Sequence, residues 1–254
     1  MSQRLIVIYS HGKSGTTSIY RSLESQTERT VIRFHMLNPS KVRAKVAKRE
    51  SQGLKLGRSL RNSRRFVDDP SLLEGAQILT MIRDPIASSV SSFFYRLAKN
   101  DDNKLRSCIE SNDPAPLLLE YNADFETIAR MYLNWFDSEI GTTLGLNIYD
   151  LPFNKSQGFQ VYQKGRWDLL VSKLERDDRV LENAIRTFLS IPNFRLTRRN
   201  VSHEKPYAEL YKSFRQRLAL APDLIQRIYS HHSVRHFYTE DEIDLFVQQW
   251  GTSS

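Results

Sequence analysis

Leu5-Ile-Val-Ile-Tyr-Ser-His-Gly-Lys-Ser-Gly-Thr-Thr-Ser-Ile-Tyr-Arg-Ser-Leu23 sets a short apolar run, a polar loop with two glycines and an amphipathic segment side by side within nineteen residues. Leu5 to Tyr9 is too short for a helix and is β-branched at Ile6, Val7 and Ile8, which suits a strand buried on both faces of a parallel sheet. From Thr17, residues Ile19, Tyr20 and Leu23 recur at helical spacing. The backbone N–H groups of Ser14 to Ser18 are therefore expected to point out of a helix N-terminus, a place that binds anions. Strand, loop and helix in this order predict an α/β fold with the first strand central.

Gly12 and Gly15 let the loop bend and approach a ligand without Cβ clashes. Lys13 supplies a mobile charge, and Ser14, Thr16, Thr17 and Ser18 supply hydroxyls, a composition suited to phosphate-like oxygens. A Walker A loop needs G-x-x-x-x-G-K-[ST]; Gly12-Lys13-Ser14 gives only its end, because Val7 stands where the first glycine belongs. Lys13-Ser14-Gly15-Thr16-Thr17 instead resembles the 5′-phosphosulfate loop of sulfotransferases that use 3′-phosphoadenosine-5′-phosphosulfate (PAPS), with Gly12 in place of the proline of the cytosolic enzymes. The bland alternative is an ordinary strand-to-helix turn, since helix starts favour Ser, Thr and Gly in any case.

Outward from the loop, Thr30 to Leu37 reads as a second strand closed by Asn38-Pro39, with His35 near its carboxyl end. Ligand crevices of open α/β sheets lie beyond the carboxyl ends of the strands, so His35 is expected to face the same cleft as Lys13. An imidazole with a pKa of about 6.5 suits a general base, and a histidine in this position also resembles the base of several carbohydrate sulfotransferases. Its alternative is an ordinary histidine hydrogen-bonded at a sheet edge.

Gln77 to Arg83 is a third apolar strand, and Arg83-Asp-Pro-Ile-Ala-Ser-Ser-Val-Ser91 follows its end. Pro85 suits a first helical turn, and a guanidinium with a hydroxyl two turns into the helix can grip one phosphate. The pattern resembles the sulfotransferase 3′-phosphate motif, Arg-Asn-Pro followed by Ser at the same spacing, with Asp84 replacing asparagine. Phe93, Phe94 and Leu97 read as core.

Ser40 to Phe66 carries Lys41, Arg43, Lys45, Lys48, Arg49, Lys55, Arg58, Arg61, Arg64 and Arg65. One or two helices broken near Gly53 are expected, with the charges on a solvated face; contact with an anionic acceptor or the adenylate phosphate is the alternative. Asn100 to Pro116 reads as a surface connection, and Asp124 to Gly141 as a long amphipathic helix. Leu146 to Phe153, Gly158 to Val161 and Leu169 to Leu174 read as strands. Arg179 to Leu189 reads as a helix, and Tyr207 to Trp250 as helical, with a Thr239/Glu242 capping box. The cation-dense loop Arg195 to Pro206 is a plausible lid, and the late basic loop of the superfamily makes Arg198, Arg199 and Lys205 nucleotide-binding candidates. His231, His232 and His236 lack partners at metal-ligand spacing and read as solvated or capping residues.

The chain has 254 residues, a formal charge of +8 and one cysteine, Cys108. That length fits a single α/β domain, 1–254. No run is long and apolar enough for a membrane span, and no signal-peptide pattern opens the chain. The lone, idle cysteine points to a reducing cytoplasm. Basic residues read as scattered and form no recognised nucleic-acid motif, so no nucleic-acid partner is expected.

The arrangement from Lys13 to the Asn200–Tyr207 stretch also looks like the bacterial sulfotransferase-like family named for capsular polysaccharide synthesis. Together the resemblances imply a P-loop-like three-layer α/β fold with a central, mainly parallel sheet flanked by helices. They imply in-line sulfuryl transfer from PAPS to a hydroxyl acceptor, a carbohydrate, leaving adenosine 3′,5′-bisphosphate, with no metal. Lys13 and His35 would be catalytic; Gly12, Lys13, Ser14, Gly15, Thr16, Thr17, Ser18, Arg83, Ser91, Arg198, Arg199 and Lys205 would hold the nucleotide. The alternatives are a P-loop kinase, which requires magnesium and a further acidic ligand, and a non-catalytic nucleotide-binding module.

Overall fold

A computed structural model describes residues 4–197 and 205–251. Its first elements are β1 (Ile6–Tyr9), α1 (Thr16–Glu24), β2 (Val31–Phe34), α2 (Pro39–Ser51), α3 (Arg58–Asp68), β3 (Gln77–Ile82), α4 (Pro85–Asn100), α5 (Asp102–Ser111) and α6 (Ala115–Leu133). A π-helical segment, Phe136–Gly141, runs into α7 (Thr142–Leu144). Then come β4 (Phe159–Gln163), β5 (Asp168–Lys173), α8 (Asp178–Leu189), α9 (Ala208–Arg217), α10 (Pro222–Tyr229), α11 (His232–Phe237) and α12 (Glu240–Trp250).

These elements form two compact units, each built from two stretches of chain: 1–82 with 135–197, and 83–134 with 198–254. The first unit holds the whole sheet, in the order β2-β1-β3-β5-β4. Four strands are parallel, and β4 runs antiparallel to β5. β1 lies between β2 and β3 as its apolar run predicts, and every residue of β1 and β3 is buried. Ile6 and Ile8 of β1 and Leu79 and Met81 of β3 face one side, where they pack with Ile19 and Leu23 of α1 and Leu181, Ile185 and Phe188 of α8. Each such side chain stabilises the fold by roughly 1.5–3 kcal/mol through lost water contact. On other sides, Tyr9 meets Trp135 at 5.2 Å and Phe34 of β2 meets Phe66 of α3 at 4.9 Å between ring centroids. The sheet is thus central, mainly parallel and flanked by helices, in agreement with the expected three-layer α/β architecture.

The second unit is helical among its described residues. Phe93 and Phe94 of α4 are buried with Tyr121 of α6 and Phe214 of α9 in an aromatic cluster whose centroids lie 5.1–5.9 Å apart, at edge-to-face and stacked angles that aromatic quadrupoles favour. No helix among the described residues is long and apolar enough to cross a membrane.

Three expected segments differ. The presumed connection after Asn100 contains α5, capped by Asp101, whose side chain accepts from Lys104 N, and pinned by buried Leu105 and Cys108. The long helix begins at Ala115, nine residues earlier than expected, and gives way after Leu133 to the π-helical turn. Leu146 to Phe153 holds no strand; Asn147 instead caps a 3₁₀ turn, Ile148–Asp150. The basic run behaves as expected, forming α2 and α3 with Gly53 between them at φ 64°.

Candidate functional site

The parallel strands of the first unit end together, and the loop after β1 and the turn after β2 meet there. Ser10 N donates to Phe34 O at 3.2 Å, continuing the β1–β2 ladder by one bond. His35 Nδ1 then bonds Ser10 O at 2.7 Å. A carbonyl oxygen only accepts, so Nδ1 carries the proton and Nε2 keeps its lone pair. Burial of its surroundings lowers the His35 pKa below the ordinary histidine value; the hydrogen bond to Ser10 works against this, while the charges of Arg33 and Lys13 add to it. Taken as a whole residue, His35 is nevertheless exposed. His35 is therefore an imidazole biased towards its neutral form, with the proton on Nδ1, and the Lys13 charge is felt at the ring.

The loop takes its shape from two left-handed residues, Lys13 (φ 69°) and Gly15 (φ 72°), with Ser14 between them. Alternation of this kind turns successive N–H groups towards one point, the nest geometry that binds anions. Gly15 is needed twice over, since a Cβ there would also lie 2.6 Å from Leu174 Cδ1. Gly12 is not needed in this sense, because a Cβ there would meet nothing within 4 Å; the bend expected at Gly12 is made by Lys13, at a strain of about 1–2 kcal/mol for an L-residue. α1 then begins from Gly15 with no side-chain cap and no acidic residue in its first turn. Within that first turn Ser18 N donates to Gly15 O at 3.1 Å.

The hydroxyls of the loop are not equivalent. Ser14 is fully buried; its Oγ donates to His11 O at 2.7 Å and lies 2.8 Å from Ser10 Oγ, so its side chain shapes the loop. Thr17 is partly exposed, and its Oγ1 accepts from Arg33 Nη1 at 2.8 Å. Thr16 and Ser18 are buried. Arg33 lies on β2, two residues before His35 in the turn that follows, and its charge helps to lower the His35 pKa. The bond to Thr17 makes Arg33 a further cation beside the loop.

Glu139, in the π-helical segment and 2 % exposed, holds the turn that carries His35. Its Oε2 accepts from Tyr9 OH at 2.7 Å, Leu37 N at 2.8 Å and Asn38 N at 2.9 Å, and its Oε1 from Lys41 Nζ at 3.2 Å. Asn38 Nδ2 donates to Ser138 O at 2.6 Å and Trp135 Nε1 to His35 O at 3.4 Å. Burial, then the Glu139 charge, pushes the Tyr9 hydroxyl well above its usual pKa, so Tyr9 stays a donor to Glu139. Sequence periodicity alone does not reveal Glu139, because the extra residue of a π turn breaks the helical register.

The second motif lies in the second unit. Arg83 directly precedes Asp84, the N-cap of α4, Pro85 opens the helix as predicted, and Ser91 lies two turns along; Arg83 and Ser91 are both partly exposed. Asp84 is buried and fully occupied. It accepts from Ile86 N and Ala87 N, both at 3.1 Å, from Tyr229 OH at 2.9 Å and from Trp250 Nε1 at 2.8 Å. Burial raises its pKa, and those four donors oppose the rise. Asp84 thus binds the start of α4 to α10 and α12, a role the sequence did not disclose.

Lys205 is partly buried at the bend before α9, whereas Arg198 and Arg199 lie outside the described residues. His231 caps α11, its Nδ1 accepting from Ser233 N at 3.2 Å, and the Thr239/Glu242 capping box is formed.

Residues 109–239, just over half of the chain, match the family described as "Putative capsular polysaccharide synthesis protein". The chain belongs to that family. No curated protein and no solved structure matches it. The matched segment begins inside α5 and ends at Thr239, so it includes Trp135 and Glu139 but neither the Lys13 loop nor the Arg83 motif.

Proposed function

We propose that this chain transfers a sulfuryl group from PAPS to a hydroxyl of a saccharide acceptor. The observation that carries the reading is the uncapped, nest-forming loop at Lys13–Gly15, set within electrostatic reach of a histidine whose Nε2 is free to take a proton. The family description, capsular polysaccharide synthesis, supports a saccharide as the acceptor.

In this reading the amides of the loop and of the first turn of α1 hold the 5′-phosphosulfate, and Lys13 stabilises the charge that develops on the bridging oxygen as the S–O bond breaks. His35 Nε2 removes the acceptor proton as the new O–S bond forms. Arg83 and Ser91 take the 3′-phosphate, with Lys205, Arg198 and Arg199 as further cationic contacts, as the motif resemblance implies. Glu139 is a positioning residue: it fixes the two amides that follow the His35 turn and so sets where the imidazole stands. The kinase alternative needs the hydroxyl of Ser14 for a metal ion, and that hydroxyl is engaged inside the loop.

The test is release of adenosine 3′,5′-bisphosphate from PAPS in the presence of a panel of polysaccharides. The wild-type chain is expected to turn over, and Lys13→Ala to lower turnover on the order of a hundredfold, as for loss of one preorganised donor. Hydrolysis of ATP with magnesium, with no acceptor-dependent consumption of PAPS, would place the chain among the kinases instead.

A further inference from the structure

The chain's excess charge is gathered in one place. Pro39–Asp68 contains ten Lys and Arg residues and two acidic residues, Glu50 and Asp68, a surplus of eight that equals the +8 of the entire sequence, so the remainder is neutral overall. This stretch is the α2–α3 hairpin of the first unit. A narrow seam of Val42, Val46, Leu60 and Val67 pins the two helices together, and almost every cation between them is exposed.

The tip of the hairpin is apolar. Leu54 is 47 % exposed in the turn after Gly53. Arg49 closes that turn, its Nε and Nη2 donating to Lys55 O at 3.2 and 3.0 Å, so Leu54 is presented by a fixed loop among Arg49, Lys55 and Arg58. Leu54 is the one large exposed apolar side chain of this basic hairpin among the described residues. Cations around an apolar tip are the arrangement that lies on an anionic bilayer, with charges at the headgroups and the apolar side chain at the acyl boundary.

We propose that the α2–α3 hairpin docks this chain on a membrane surface carrying anionic phospholipid headgroups. Charge complementarity supplies the attraction, each cation close to such a surface strengthening binding roughly fivefold. Leu54 favours the bilayer over a soluble polyanion, which would satisfy the cations and leave the leucine in water. The inference stands whether or not the chain transfers sulfuryl groups.

Vesicle flotation tests it, using phosphatidylcholine alone and phosphatidylcholine mixed with phosphatidylglycerol. Binding is expected only to the mixed vesicles and should weaken as salt screens the charges. Lys48→Glu with Arg58→Glu should lower it at least about twentyfold, and Leu54→Ser about fivefold; all three positions are exposed, so the variants should fold as the parent does. No binding to the mixed vesicles would overturn the proposal. So would equal vesicle binding by wild type and Leu54→Ser together with equally tight binding of dextran sulfate, which would make the partner a soluble polyanion.

Discussion

The two helices that carry the sequence motifs begin in opposite ways. α1 starts from a left-handed Gly15, which has no side chain to cap the helix. α4 starts from Asp84, whose buried carboxylate takes the amides of Ile86 and Ala87. Both N-termini carry the positive end of a helix dipole, yet only the first lacks a side-chain cap at its N-cap position. The second is already answered by a carboxylate of its own chain. An anion bound by the Arg83 motif must therefore be held by side chains, Arg83 and Ser91, while one bound by the Lys13 loop is held largely by backbone.

That contrast can be broken at either turn. Asp84→Ala removes a helix cap worth about 1 kcal/mol and strands the buried Tyr229 hydroxyl and Trp250 indole, each at about 1–3 kcal/mol. The expected loss is about 4 kcal/mol of stability by urea denaturation. A loss under about 1 kcal/mol would show that Asp84 does not bind the start of α4 to α10 and α12. Gly15→Ala should cost about 3 kcal/mol, from left-handed strain and the clash with Leu174, and should reduce binding of 5′-phosphorylated nucleotides; retained stability and binding would mean the turn into α1 is not built as described.

A smaller effect sharpens the role of the turn that carries His35. The folded pKa of His35 is lowered, so between that value and about 6.5 the unfolded chain holds more protons than the folded one, and stability falls as pH drops through this window. Turnover should fall in the same direction, with a midpoint below about 6.5. Glu139→Gln replaces an acceptor of four donors with an amide that can satisfy only some of them, at a cost of about 2 kcal/mol. It should lower kcat about tenfold and move the His35 titration, read by NMR of the imidazole, while leaving nucleotide affinity in place. An unmoved titration would remove Glu139 from the account without touching the rest.

Much of the frame was legible because it rests on short-range chemistry. The β-branched run of β1, Pro85 at the first turn of α4, Gly53 between two basic helices and the Thr239/Glu242 box each declare themselves locally. What the sequence hid depends on partners far away in the chain. Lys13 rather than Gly12 takes the left-handed bend, a choice made by the buried Ser10, His11 and Ser14 network beneath it. Glu139 stands on a π turn, where the helical period slips by one residue and pattern reading fails. α5 was hidden by its many charges, since only Leu105 and Cys108 show a buried side. Arg33 was hidden in the same way, since what places it beside the loop is its bond to Thr17, sixteen residues earlier in the chain.

The proposed function calls for an adenine nucleotide phosphorylated at both the 5′ and 3′ positions as the co-substrate. Comparing the rise in melting temperature given by adenosine 3′,5′-bisphosphate with that given by ADP tests it most directly, because only a ligand that binds the folded chain raises the transition. The account predicts a clearly larger rise with the 3′,5′-bisphosphate, lost in Arg83→Ala. Equal rises with the two nucleotides, or a larger one with ADP, would contradict it.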